Sequence, residues 1–194
     1  MSGRRQLRTV VADTSALVSL AVPRADAAYD TETAPDSLQY LLTSCDVFVP
    51  PEVVAELRDI TQYQDIHAAA ATNVLAARNH YTVEDPYECD DTPDTRPTFG
   101  LGDGETDGIV LANALDVDGF LTDEFGGTNF PLIHAVLQGP RIVPTPRLIC
   151  DYARNGHMTH EEARTLLSVI SPHRSWDNSP YVAQLVALLE EQLC

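Results

Sequence analysis

An α/β domain built on a mainly parallel sheet is the fold class this sequence predicts. Two observations predict it. Short β-branched runs alternate with helical patterns from residue 8 to about residue 156. The chain is also 44% hydrophobic over 194 residues, enough for one ordinary core and far from a disordered composition.

The elements follow in order. Residues 8–12 (RTVVA) read as a first strand ending at Asp13, and TSALVSLAV reads as a helix with Thr14 or Ser15 near its cap. A polar loop covers 23–36, and a helix lies near 36–44. DVFVP (46–50) is a second buried strand. PPEVVAELRDI opens with prolines suited to a helix start, and Val53, Val54, Leu57 and Ile60 form its apolar stripe. Residues 65–79 make another helix and YTVED (81–85) a third strand. The segment 85–104, rich in Pro, Gly and Asp, is a loop long enough to suggest function. Beyond it come a helix in ETDGIVLANALD, a strand in GFLTD (119–123) and a helix in NFPLIHAVLQ. A strand in RIVP (141–144) and a helix in PRLICDYARNG, closed by Gly156, complete the alternation. Two more helices lie near 160–170 and 180–193, the first with a capping box of Thr159 and Glu162.

Charge is the strongest compositional signal. The chain carries 29 acidic and 12 basic residues, a formal net charge of −17, and all 12 are arginine. Self-repulsion on that scale disfavours a compact state in dilute buffer. In molar salt the Debye length falls to ~3 Å and most of it is screened. With the acids spread through the chain rather than gathered in a tail, the balance points to a salt-loving cell, ahead of mimicry of nucleic acid. Counterion release contributes little in such salt, so net charge neither supports nor excludes an RNA partner. No apolar stretch reaches the ~20 residues of a bilayer span. The N-terminus places arginines before an apolar run, but Asp13 interrupts it and no small-residue cleavage site follows. A cytoplasmic location without membrane contact is therefore expected. Cys45, Cys89, Cys150 and Cys194, far apart with no C-x-x-C pair, are not expected to form framework disulfides; Cys45 and Cys150, among apolar neighbours, read as free buried thiols, and the terminal Cys194 is uninformative.

In parallel sheets, functional groups gather outside the C-terminal strand ends. Asp13 and Asp123 each stand there after an apolar strand, a poor place for a charge without compensation. Asp13 alone would be an ordinary helix cap. Glu56 borders the apolar stripe of its helix, and Glu105 and Asp107 lie at the start of theirs, where either alone would be ordinary helix-end electrostatics.

Their order along the chain carries more than any one of them. VADTSALVSL, PPEVVAEL, LGDGETDGIVLANAL and GFLTDE occur in succession. This resembles the PIN domain of VapC-like and related ribonucleases, over residues 8 to about 145. The resemblance implies a PIN-like three-layer α/β/α fold with a central mainly parallel sheet, plus C-terminal helices. Residues 6–150 would form the nuclease domain and 151–194 a helical extension packed on it. It assigns Asp13, Glu56, Asp107 and Asp123 to catalysis, with Asp13, Asp107 and Asp123 in direct metal contact. Glu56 would hold a second metal or orient water, and Glu105 is the other candidate for the place of Asp107. Thr14, Ser15 and Thr122 match polar positions beside the acids. Hard oxygen ligands suit Mg²⁺ or Mn²⁺, which offset carboxylate repulsion and support in-line phosphodiester hydrolysis. The implied partners are RNA, an antitoxin of a toxin–antitoxin pair, and a second copy in a homodimer.

The sequence departs from the pattern after the last acid. Glu124 is followed by FGGTN, and the next basic residue is Arg141. Thr128 or Asn129 would then be the groups near phosphate, although a plain turn is the simpler reading of that segment. His157 and His160 lack zinc-site spacing, no G-x-S-x-G is present, and GLGDGETDG lacks the lysine of a P-loop. Trp176 is expected to pack between the final helices. Two rival functions stand beside the nuclease: a non-catalytic, RNA-binding or ribosome-associated module, and a metal-dependent small-molecule phosphatase. The second is disfavoured by Thr-Ser-Ala after Asp13 and by the absence of lysine.

Overall fold

The computed structural model describes residues 7–125 and 128–191. Five strands, β1 (Thr9–Ala12), β2 (Asp46–Val49), β3 (Thr82–Val83), β4 (Gly119–Leu121) and β5 (Arg141–Val143), form one sheet in the order β3-β2-β1-β4-β5. Every pairing is parallel, with Val10 opposite both Val47 and Gly119. The helices are α1 (Thr14–Ala25), α2 (Ser37–Ser44), α3 (Pro51–Ile60), α4 (Ile66–Ala76), α5 (Asp103–Ala114), α6 (Asn129–Val136), α7 (Thr145–Arg154), α8 (His160–Arg174) and α9 (Pro180–Glu191).

The strands are apolar on both faces because both faces are covered. On β1, Val10 and Ala12 join one hydrophobic cluster and Val11 joins another, as the two-residue period of a strand requires. The smaller cluster adds Ile109, Leu111 and Ala112 of α5, Phe120 of β4 and Ile133 of α6. The larger adds Leu17 and Leu20 of α1, Val53 and Leu57 of α3, Ala70 and Val74 of α4, and Leu148 and Ile149 of α7. The result is a three-layer α/β/α sandwich, the fold class read from the sequence. Leu166, Leu167 and Ile170 of α8 and Val182, Leu185 and Leu189 of α9 belong to the same larger cluster as Val10. α7 itself runs across position 150, where the extension was expected to begin.

Several boundaries differ from the sequence reading for local reasons. Asp13, not Thr14 or Ser15, caps α1, its Oδ1 accepting the Ala16 N–H at 2.9 Å. α1 continues to Ala25 through Pro23, into the predicted loop. Pro23 bears no N–H, yet at the last turn its loss is small, and the Asp26 N–H closes on Val22 O at 2.9 Å. β3 shrinks to two residues at the sheet edge, because Pro86 opens a single 3-10 turn over Pro86–Glu88. α5 starts at Asp103, two residues before Glu105, so Glu105 becomes its third residue and accepts the Gly102 N–H at 3.2 Å. The capping box is formed as read, with Glu162 accepting Thr159 N–H at 2.7 Å and Thr159 accepting Glu162 N–H at 3.1 Å.

α5 lies close against β4 because Gly108 has no side chain. A Cβ there would stand 2.8 Å from Cε2 of the fully buried Phe120. Gly108→Ala is expected to destabilise the protein by roughly 1–3 kcal/mol through overpacking. It would outweigh the ~1 kcal/mol helix-propensity gain of alanine if Phe120 cannot shift. Urea unfolding checks this; a stabilised variant would show that the ring gives way.

Candidate functional site

The connections from β1 lead outward through β2 to β3, while β4 and β5 extend the sheet on the other side of β1. The boundary between β1 and β4 is therefore the topological switch point, where parallel sheets leave a crevice. Asp13 follows β1 directly and Asp123 follows β4 after Thr122. The Asp13 N–H donates to Leu121 O at 3.0 Å, extending the β1–β4 ladder by one rung and placing the two acids at one end of neighbouring strands.

Ser15 joins them. Its hydroxyl donates to Asp13 Oδ1 at 2.8 Å and accepts the Asp123 N–H at 2.9 Å. Asp123 Oδ1 accepts the Thr145 N–H at 2.7 Å, from the first turn of α7. One oxygen of each carboxylate is thereby committed. The other, Asp13 Oδ2 and Asp123 Oδ2, is buried with no partner at hydrogen-bond geometry, although the Thr122 hydroxyl beside Asp13 and the Ser19 and Thr145 hydroxyls beside Asp123 lie near enough to favour the charged forms. Burial pushes the Asp13 carboxyl up to about 7, partly offset by Thr122, Ala16 and Ser15 and reinforced by the charge of Asp123. Burial likewise raises Asp123, against the pull of Ser19, Thr145 and Arg174.

Glu56 sits beside this pair. It accepts a short hydrogen bond from the Thr14 hydroxyl and the Gly104 N–H at 3.1 Å, which links α3 to the starts of α1 and α5. A Cβ on Gly104 would lie 2.5 Å from Glu56 Oε1, so any side chain there would push the Glu56 carboxylate out of its present position. Glu105 is half-buried, with Oε1 unpartnered. Burial raises its pKa, the Gly102 N–H lowers it, and the charges of Glu124 and Glu56 raise it further.

Asp107 is placed differently. It is 4% exposed, and both its oxygens are taken. Tyr87 donates to Oδ1 at 2.6 Å, and Arg96 donates to Oδ1 through Nε at 2.8 Å and to Oδ2 at 2.7 Å. Arg96 also reaches Glu52 at 3.0 Å and Asp103 at 2.8 Å. The long 85–104 segment is thus fastened across the start of α5. Among the described residues, no group of three or more His, Cys, Asp or Glu is arranged to hold a metal ion. The structure brings together Asp13 and Asp123, ties Glu56 to Thr14 next to Asp13, sets Glu105 near Glu56 and Glu124, and gives Asp107 to an arginine.

The donor set fits a hard divalent cation in a limited way. Two unpartnered carboxylate oxygens are what Mg²⁺ uses when it binds by one or two carboxylates and keeps several waters. Two neighbouring buried carboxylates, with Arg174 acting on Asp123 alone, are otherwise costly to ionise together.

That cost makes stability depend on pH. The carboxyl of Asp13 titrates near its ordinary value when unfolded and at about 7 when folded. Between those values the folded state keeps a proton that the unfolded state has lost, so stability falls as pH rises and levels off above the folded pKa. Asp123 and Glu105 are shifted in the same direction. At ~1.4 kcal/mol per pKa unit, the loss from Asp13 alone is at most about 4 kcal/mol. In chelator, thermal melting is expected to be higher at about pH 5 than at about pH 8, with Mn²⁺ closing the gap. A flat profile would show that Asp13 is not held in a charge-excluding site.

Sequence reasoning missed Ser19, Tyr87, Arg96, Thr145 and Arg174. Ser19 carried a faint signal, a buried serine in the apolar run ALVSLAV, one helical turn after Ser15; its hydroxyl donates to Ser15 O at 2.8 Å. Arg96 and Arg174 carried none. Thr128, considered near phosphate, directly precedes α6 and makes no side-chain cap bond; Gly126 and Gly127 lie outside the described residues. Trp176 is buried with side chains of α8 and α9, as expected, and also packs on Phe125, with ring centroids 5.7 Å apart, while Phe125 meets Tyr181 at 5.0 Å. Phe125, two residues after Asp123, is therefore held by the C-terminal region.

Fold and site define a three-layer α/β protein with a carboxylate pair at the switch point of its sheet. No protein-family model, curated protein or solved structure matches the chain. No helix among the described residues is long and apolar enough to cross a membrane, and Cys45, Cys89 and Cys150 are free.

Proposed function

We propose that this protein is a metal-dependent endoribonuclease of the PIN-domain type. The observation that carries the reading is the Asp13–Ser15–Asp123 bridge at the switch point, with one buried, unpartnered oxygen left on each acid. Asp13 and Asp123 would hold Mg²⁺ or Mn²⁺. Glu105 is favoured over Asp107 as the third acid, because Glu105 keeps an unpartnered oxygen and Asp107 does not. When bound, such a cation neutralises phosphate charge and lowers the pKa of water. Ser15 sets the spacing of the two acids. Glu56 fixes Thr14 and the start of α5, and so positions the neighbouring Glu105. The same reading carries the antitoxin partner and the homodimer, while the acidic, lysine-free composition supports the salt-rich cell and the N-terminal pattern the cytoplasmic location.

One observation favours the second reading, a non-catalytic RNA-binding module: the described residues present no three-carboxylate group. The deciding experiment incubates the full chain with labelled single-stranded RNA in molar potassium chloride and Mn²⁺, with chelator as control. Metal-dependent cleavage is the expected result. RNA left intact by a protein that shows no Mn²⁺ binding in calorimetry would overturn the nuclease and leave the binding module.

A further inference from the structure

Beside the carboxylate pair an open groove of about 360 Å³ is lined by Thr14, Ser15, Tyr63, Asp65, His67 and Arg174, among others. Its volume lies within the ~300–1,000 Å³ of ligand pockets. Three features set it apart from an ordinary crease. Arg174, the last residue of α8, has its Nε buried without a hydrogen-bond partner. Arg24, Arg96, Arg154 and Arg164, by contrast, each pair with a carboxylate, and Arg147, whose Nη2 is likewise unpartnered, pairs with Asp151 through Nε. The position of Arg174 is fixed on both sides: His173 O meets His67 Nε2 at 2.9 Å, and Trp176 is packed on Phe125. Tyr63, which also lines the groove, is 68% exposed, one of the two large apolar side chains left open to solvent among the described residues. Asp65 contributes an acid to the rim, but it is engaged as the cap of α4, accepting the Ala68 N–H at 2.9 Å.

A guanidinium with an unmet donor, next to a site for phosphate chemistry and lining the same groove as an open aromatic ring, has the makings of a nucleotide subsite. Arginine donors suit phosphate oxygens, and an exposed ring stacks on any unpaired base. The geometry points to this groove as a binding subsite for single-stranded RNA, in which Arg174 binds a phosphodiester adjoining the scissile one and Tyr63 stacks on its base. The inference rests on the nuclease reading for its substrate, and it gives the C-terminal helices a part in the site. Asp123 feels the charge of Arg174, so the same guanidinium couples the groove to the carboxylate pair.

The test is fluorescence anisotropy of a short labelled single-stranded RNA on the full chain, with Ca²⁺ replacing Mn²⁺, for the parent, Arg174→Met, Arg174→Gln and Tyr63→Ala. Each substitution is expected to weaken binding about ten-fold, the size of one stacking or charge-assisted contact. Melting temperatures identify any variant that has lost its fold. Tyr63 is too exposed for its removal to do so, so at least one arm remains readable. Unchanged affinity in a folded Arg174 variant or in Tyr63→Ala overturns the proposal, as does equal binding of duplex RNA. A parent that binds no RNA overturns it too, while Mn²⁺ calorimetry on the same protein judges the carboxylate pair separately.

Discussion

Asp13→Asn and Asp123→Asn are each expected to abolish metal-dependent RNA cleavage, by about 10³-fold or more, while making the metal-free protein more stable at neutral pH. The first effect follows from the several kcal/mol of charge stabilisation that a bound cation supplies, at ~1.4 kcal/mol per decade of rate. The second follows from burial. Asp13 is 2% exposed and its Oδ2 has no partner, so its ionised form is disfavoured in the folded state. Asparagine keeps the oxygen that accepts from Ala16 and Ser15, and it is as good a helix cap. It removes the charge but buries an amide N–H₂, which limits the gain to roughly 1–2 kcal/mol. The pH slope of melting in chelator should flatten in the Asp13 variant. Opposite signs for activity and stability are the signature of a site held in strain for its ligand. An Asp13→Asn protein that melted lower at neutral pH and still cut RNA would remove both arguments.

Arg96→Met is expected to be the most destabilising single change outside the hydrophobic clusters, at roughly 3–5 kcal/mol. Asp107 is 4% exposed and takes two of its hydrogen bonds from Arg96. Without the guanidinium it remains a buried carboxylate with only the Tyr87 hydroxyl. Arg96 is itself 34% exposed at its side chain, which places the cost toward the lower end. Glu52 and Asp103 lose the same partner, so three acids near the start of α5 would repel one another. Urea denaturation measures the loss, and Arg96→Met combined with Asp107→Leu should recover much of it. A fully stable Arg96→Met would mean that Asp107 finds other compensation, and would return it to contention as a metal ligand.

The sequence by itself determined the layer architecture and most of the element order. The signals were local: β-branched strand runs, prolines opening α3, the Thr159–Glu162 box and the apolar helical stripes. It also determined that Asp13 and Asp123 would stand at strand ends, because a charge directly after a buried strand can sit nowhere else. Only the tertiary structure decided which acids keep an unpartnered oxygen and which are paired. Glu105 and Asp107 are two residues apart on one helix turn, and their spacing does not say which faces Glu56 and which faces solvent or a loop. The choice was made by Arg96, brought from an irregular segment to Asp107, and by the start of α5 at Asp103, which turns Glu105 back toward Gly102. Arg174 reaches the groove from more than fifty residues beyond Asp123. Such placements depend on long-range packing, here Trp176 on Phe125, and packing between distant segments leaves no periodic trace in either one.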